Sequence, residues 1–138
     1  RANNKDWLYD KYLSAYLFPK DFKVIENIID ELLVLKQTIL HAPLNVTFIT
    51  SDNPGFVIME EKVVNLGGLK GNFELYFPLS PSTCLYLNSS KKLIGSNNNI
   101  LLFPIVADTE RVQKINSATK SICSNFILGQ TREQVTTI

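Results

Sequence analysis

Ser51, Asp52 and Asn53 are the residues best placed to do chemistry. They follow a run rich in β-branched and aromatic residues, LNVTFIT over 44–50, and functional side chains often project where a strand ends. Asp52 offers a carboxylate that can act as a general base or as a metal ligand. The same residue types also fix turns, because Asp and Asn side chains bond their own backbone. Pro54-Gly55 comes directly after them. The turn reading therefore takes precedence over the catalytic one. Metal chemistry requires further carboxylates at the same point. Glu60, Glu61 and Glu74 are the nearest in sequence, and no metal site or cofactor is expected.

His41 is the single histidine. A nucleophilic role requires Ser51 or Cys84 to meet it in space. The G-x-S-x-G pattern of a nucleophile elbow is absent. Cys84 and Cys123 have no C-x-x-C spacing and no histidine nearby, which excludes a zinc pattern. They read as buried reduced thiols. Gly67-Gly68-Leu69-Lys70-Gly71 lacks the G-K-[ST] ending of a phosphate loop. Lys91 and Lys92 read as solvated charges. Asn45-Val46-Thr47 and Asn88-Ser89-Ser90 match the N-glycosylation pattern, the first inside an expected strand.

The elements that must position these residues change period along the chain. Residues 5–17 carry a helical stripe closed by Pro19. Asp21 is expected to cap a second helix over 21–41, where Phe22, Ile25, Ile28, Ile29, Leu32, Leu33, Leu35, Ile39 and Leu40 form an apolar face. His41 would sit in its last turn, before Pro43. After Pro43 the rhythm becomes two-residue. Strands are expected over 44–50, 56–59, 73–79, 84–87 and 100–106, with loops over 60–71 and 88–99. Pro78 places the end of its strand at a sheet edge, and Pro104 weakens a central-strand reading. Asp108 or Thr109 is expected to cap a third helix carrying Val112, Ile115, Ala118 and Ile122. A short strand over 126–128 and a peripheral tail close the chain.

The chain has 138 residues, 45% of them apolar and 20% charged, and a formal net charge of +1. A chain of this length buries roughly 68% of its unfolded surface and needs no disulfide or metal to fold. The charge balance gives no indication of a nucleic-acid partner, and no membrane-spanning run is present. The expected organisation is a single domain over 1–138, with a helical part over 5–42, a strand-rich part over 44–107 and a closing helix over 109–124. Strands clustered between helices favour an α+β fold, an antiparallel or mixed sheet of about five short strands packed against amphipathic helices. Because the chain opens on Arg1 with an already structured pattern, it is expected to be a fragment of a longer protein.

Three pieces together resemble one family. They are Phe48-Ile49-Thr50-Ser51-Asp52-Asn53-Pro54, then Phe77-Pro78-Leu79-Ser80-Pro81 followed by 84–87, then Ile115-Asn116 with Ile122-Cys123-Ser124. In this order and spacing, over roughly 44–128, they resemble the bacterial and fungal domain of unknown function family 4238, whose longer members carry a further amino-terminal helical part. The resemblance implies a shared fold and no particular reaction. It also suggests that Asn116 packs against the S-D-N-P turn, which makes Ser51, Asp52, Asn53 and Asn116 the candidate binding residues. The function expected is a noncatalytic binding or scaffolding module in the cytoplasm. Its partner would be the absent amino-terminal segment or another protein. The alternative is a metal-dependent hydrolase or nuclease-like enzyme using Asp52.

Overall fold

The computed structural model describes residues 30–65, 71–92 and 102–136. The chain divides into two compact units, Arg1–Leu33 and Val34–Ile138. Of the first, residues 30–33 are described and are helical. The helix expected over 5–17 lies outside the described residues, as do residues 21–29 of the one expected over 21–41.

The second unit has an α+β fold built on a mixed six-stranded sheet. Its strands are β1 (Leu35–His41), β3 (Phe56–Met59), β4 (Lys62–Asn65), β5 (Glu74–Ser80), β6 (Thr83–Lys92) and β7 (Leu102–Val106), in the order β4-β3-β5-β6-β1-β7. All neighbours are antiparallel except β1 and β7, which run parallel. A two-stranded sheet pairs β2 (Thr50–Ser51) with β8 (Ile127–Leu128). The helices are α1 (Thr109–Ile122) and α2 (Arg132–Thr136).

Residues 35–41 are therefore a strand, which corrects the helix expected over 21–41 and the helical part drawn to 42. β1 lies between β6 and β7. Its apolar residues Leu35, Ile39 and Leu40, separated by Lys36, Gln37 and Thr38, fall at spacings of four and one, which also satisfy a helical stripe continued from Leu32. Thr38 and Ile39, both β-branched, suit the strand. A register shift between Leu35 and Gln37 further masks the two-residue period.

The strand expected over 44–50 is reduced to Thr50–Ser51. Residues 44–49 run as an irregular segment whose backbone groups are satisfied by other partners, among them the Pro81 carbonyl, which accepts from the Phe48 amide at 2.8 Å. Two expected loops are partly strands. Residues 62–65 form a hairpin with β3 across a two-residue turn, Glu60-Glu61, with φ of 48° and 64°. Positive φ at both central positions is the turn that matches strand twist. Residues 88–92 extend β6 beyond 87. Pro78 lies in an interior strand, but β3 ends its pairing at Tyr76, so the missing amide of Pro78 faces no ladder on that side. Pro104 lies in β7, at the edge of the sheet.

The core forms between one sheet face and α1. Leu40, Phe56, Tyr76, Cys84 and Tyr86 meet Val112, Ile115 and Ala118 there, with Phe48 and Ala107 at the side. Asp108 caps α1 by accepting from the Arg111 amide at 2.7 Å. Val57, Leu75 and Leu87, on the other face of the sheet, are also buried.

Candidate functional site

The segment after Phe48 is tied to α1 at both ends. Asn116 projects from the middle of the helix. Its Nδ2 donates to the Thr47 carbonyl at 2.9 Å, and its Oδ1 accepts from the Ile49 amide at 3.0 Å. One side-chain amide thus does the work of a neighbouring strand for residues 47–49. At the far end of α1, Asn53 Nδ2 donates to the Ile122 carbonyl at 2.7 Å and to Ser124 Oγ at 3.2 Å. That satisfies a carbonyl of the last helical turn, which has no partner within the helix.

Asp52 completes the tie. Its Oδ1 accepts from the Ser124 amide at 3.0 Å, and its Oδ2 accepts from the amide and the side-chain Nδ2 of Asn125 at 2.8 and 2.9 Å. Burial pushes the Asp52 carboxyl up, but the amides of Ser124 and Asn125 and the Asn125 side chain outweigh it, and the net shift is downward. Ser51 is buried, and its hydroxyl donates to the Asn53 carbonyl while accepting from the Asn53 amide. Asp52 and Asn53 are thus tied to the end of α1 and the turn after it. Asn116 holds Thr47 and Ile49 from the middle of the helix rather than the S-D-N-P turn itself, and Ser51 bonds within that turn; each is engaged by backbone.

The remaining candidates are separated from this point. Glu60 and Glu61 form the β3–β4 turn. Glu74 accepts from the hydroxyls of Tyr86 and Tyr76 at 2.7 and 3.3 Å and from Asn88 at 3.4 Å. Among the described residues no three His, Cys, Asp or Glu side chains gather into a set that could hold a metal ion. His41 ends β1 rather than a helix. Leu40 pairs with Cys84 on the α1 face, so alternation puts His41 on the opposite face from Cys84. Cys84 is fully buried, which pushes its thiol up to about 12. Cys123 is half-buried, and neither cysteine is in a disulfide. Asn45 is exposed in a turn rather than in a strand, and Asn88 is bonded within β6. Lys91 is exposed on β6, and residues 66–70 of the glycine-rich loop lie outside the described residues.

Two features were not visible as single residues. One is a polar network on the α1 face, in which Tyr76 and Tyr86 donate to Glu74 and the Arg111 guanidinium lies 4.7 Å from the Tyr86 ring centre. Burial pushes the Tyr76 hydroxyl up to about 12, opposed by its hydrogen bond with Arg111 and helped to a lesser extent by the Glu74 charge. The parity of 74/76 and 86/88 was the available signal.

The other is an open cleft of about 240 Å³ where the motif segments meet. Phe48 and Thr50 form one side, Pro78, Leu79 and Pro81 the second, and Leu128 the third. Leu79 and Leu128 are 55% and 59% exposed at its rim. The bond from the Phe48 amide to Pro81 joins the first two segments directly. The signal in sequence was F-P-L-S-P, two prolines and an exposed leucine where β5 ends.

A comparison with protein families matches residues 18–133, most of the chain, to a family described as protein of unknown function. Comparison with curated proteins and with solved structures gives no match. Among the described residues no helix is long and apolar enough to cross a membrane. The family match takes in both the cleft and the α1 tie: the chain belongs to the family of proteins of unknown function designated DUF4238.

Proposed function

We propose that this chain is a noncatalytic binding module whose cleft takes an apolar side chain from a partner polypeptide. The observation that carries the reading is the cleft itself. Three segments converge to line it with Phe48, Pro78, Leu79, Pro81 and Leu128, and two leucines stand exposed at its rim. Exposed apolar surface around a concavity is the usual mark of an interaction site.

Support also comes from what Asp52 is doing. Three donors hold its carboxylate, and its lowered pKa makes it a weaker proton acceptor at neutral pH. A hydrolase built on Asp52 would have to break these bonds to use it. A cytoplasmic setting goes with the binding reading and is supported by the two unpaired thiols.

The test is selection from a displayed random peptide library against the wild-type chain. Leu79→Asp and Leu128→Asp variants serve as counter-selections. The expected outcome is a consensus with one large apolar anchor whose binding falls at least about tenfold with either variant, the scale of burying one such side chain. Enrichment that is indifferent to both variants would exclude the cleft as the binding site.

A further inference from the structure

The cleft has a wall that is held differently from the rest. β8 is fixed, since it pairs with β2 and the Phe126 carbonyl accepts from the Asp52 amide at 3.3 Å. Beyond Leu128 the chain turns at Gly129 and doubles back as the short α2. Gly129 permits this fold-back, because a Cβ there would lie 3.1 Å from Val135 Cγ1 and 3.2 Å from Gln134 Cβ. From 129 to 135 only Gln134 and Val135 are less than exposed.

Gln134 has two separable jobs. Its Oε1 accepts from the Gln130 and Thr131 amides at 3.0 and 3.1 Å. This is half of a capping box, Thr131-Arg132-Glu133-Gln134, at the start of α2. The two amides fix the orientation of the side-chain amide, so its Nε2 faces outward from the helix. That Nε2 donates to Thr47 Oγ1 at 2.6 Å and to the Thr47 carbonyl at 3.2 Å. The cap belongs to the strap itself, whereas the Nε2 bonds clip the strap to the 44–50 segment.

The strap also separates two concavities. Leu128, Gly129 and Gln130 wall the apolar cleft. Gln130, Thr131 and Gln134 wall a second one of about 530 Å³ over Val46, Thr47 and Asn116. The floor of both is the same run of chain, residues 44–50. We infer that residues 129–136 form a releasable strap, clipped to Thr47 by Gln134, whose release joins the two concavities into one groove along residues 44–50. This inference rests on the binding reading above, to which it adds a gate. The released groove is apolar beside Pro78 and Leu79 and polar beside Thr47 and Asn116.

Gln134→Glu separates the two jobs. It keeps the acceptor that caps α2 and removes the donor to the Thr47 carbonyl, placing a carboxylate against that oxygen at pH 7. It is made in a Thr47→Val background, so that no hydroxyl can donate back to the carboxylate. Hydrogen exchange is followed on the full chain by mass spectrometry. Amides of 130–136 are expected to exchange about tenfold faster in the variant, the scale of losing one or two hydrogen bonds, while those of 35–41 stay unchanged. The fluorescence of 8-anilinonaphthalene-1-sulfonate, a probe for apolar surface, is expected to rise severalfold.

Unchanged exchange over 130–136 overturns the strap. Faster exchange there without a rise in dye fluorescence overturns the joined groove, while the cleft as a binding site is decided separately by the peptide selection. Should Gln134→Glu loosen 35–41 as well, Thr47→Val alone decides. It removes only the hydroxyl acceptor and leaves the cap intact. Release confined to 130–136 supports the clip, and its absence overturns it.

Discussion

At the scale of single residues, the motif residues work as ties rather than as reagents. Asn116 satisfies a carbonyl and an amide two residues apart on one chain segment. Removing it takes the partner from the buried Ile49 amide and leaves the Thr47 carbonyl with the Gln134 bond alone. Asn116→Ala is expected to cost roughly 1–3 kcal/mol in urea unfolding, the usual cost of orphaned polar groups. Asn116→Asp keeps the acceptor for Ile49 but turns the donor to Thr47 into a repelling oxygen, and is expected to cost at least as much. A change below about 0.5 kcal/mol in both, the range of an ordinary surface substitution, would show that 47–49 is held by other means. Cys84 gives a second check. Its thiol is fully buried, and burial holds its pKa near 12. Thiolate is the reactive form. Alkylation of Cys84 at pH 8 is therefore expected only at the rate of unfolding, measured by mass spectrometry of iodoacetamide-treated protein against denaturant. Labelling in native protein within minutes would contradict the core placement.

At the scale of elements, the sequence spoke clearly where one face of an element meets solvent. α1 was legible because Val112, Ile115 and Ala118 are buried while Glu110, Gln113 and Lys114 are not. Its cap was narrowed to Asp108 or Thr109, and Asp108 fills the position. β1 was not legible, since Leu35, Thr38 and Leu40 are all buried in a twice-paired strand and polarity no longer marks a period. Residues 62–65 were hidden by Glu60 and Glu61, whose charges suggest a loop and whose left-handed conformation is unusual for glutamate. That turn yields a prediction. A non-glycine residue in the left-handed region costs roughly 1–2 kcal/mol. Glycine relieves that cost and gives back about 0.4–1 kcal/mol through the freer unfolded chain. Glu61→Gly is expected to stabilise the protein by up to about 1 kcal/mol in denaturant unfolding. Destabilisation would mean that the hairpin turn is built differently.

At the scale of the whole molecule, the three resembling segments form one junction. Residues 48–53 bond to Pro81 on one side and to Asn116, Ile122, Ser124 and Asn125 on the other. Each segment could be read from the sequence, but Asn116, expected against the S-D-N-P turn, bonds Thr47 and Ile49 just before it. The side-chain ties to α1 and the turn after it span 67 to 73 residues, and no local pattern records such separations. The cleft arises from that convergence, so it was invisible before the fold. The central claim is that Asp52 holds this junction as a carboxylate accepting from the turn that follows α1. Linkage fixes the sign. The folded pKa lies below the reference value of 3.8, so the ion stabilises the fold fully above that value, and its contribution is lost as pH falls through the lowered one. The most direct measurement is equilibrium urea unfolding of wild type and Asp52→Asn at pH 7 and again below pH 3. The account predicts a less stable variant at pH 7 and a gap that closes as the wild-type carboxyl takes up its proton. Equal stability at pH 7, or a gap unchanged in acid, would contradict it.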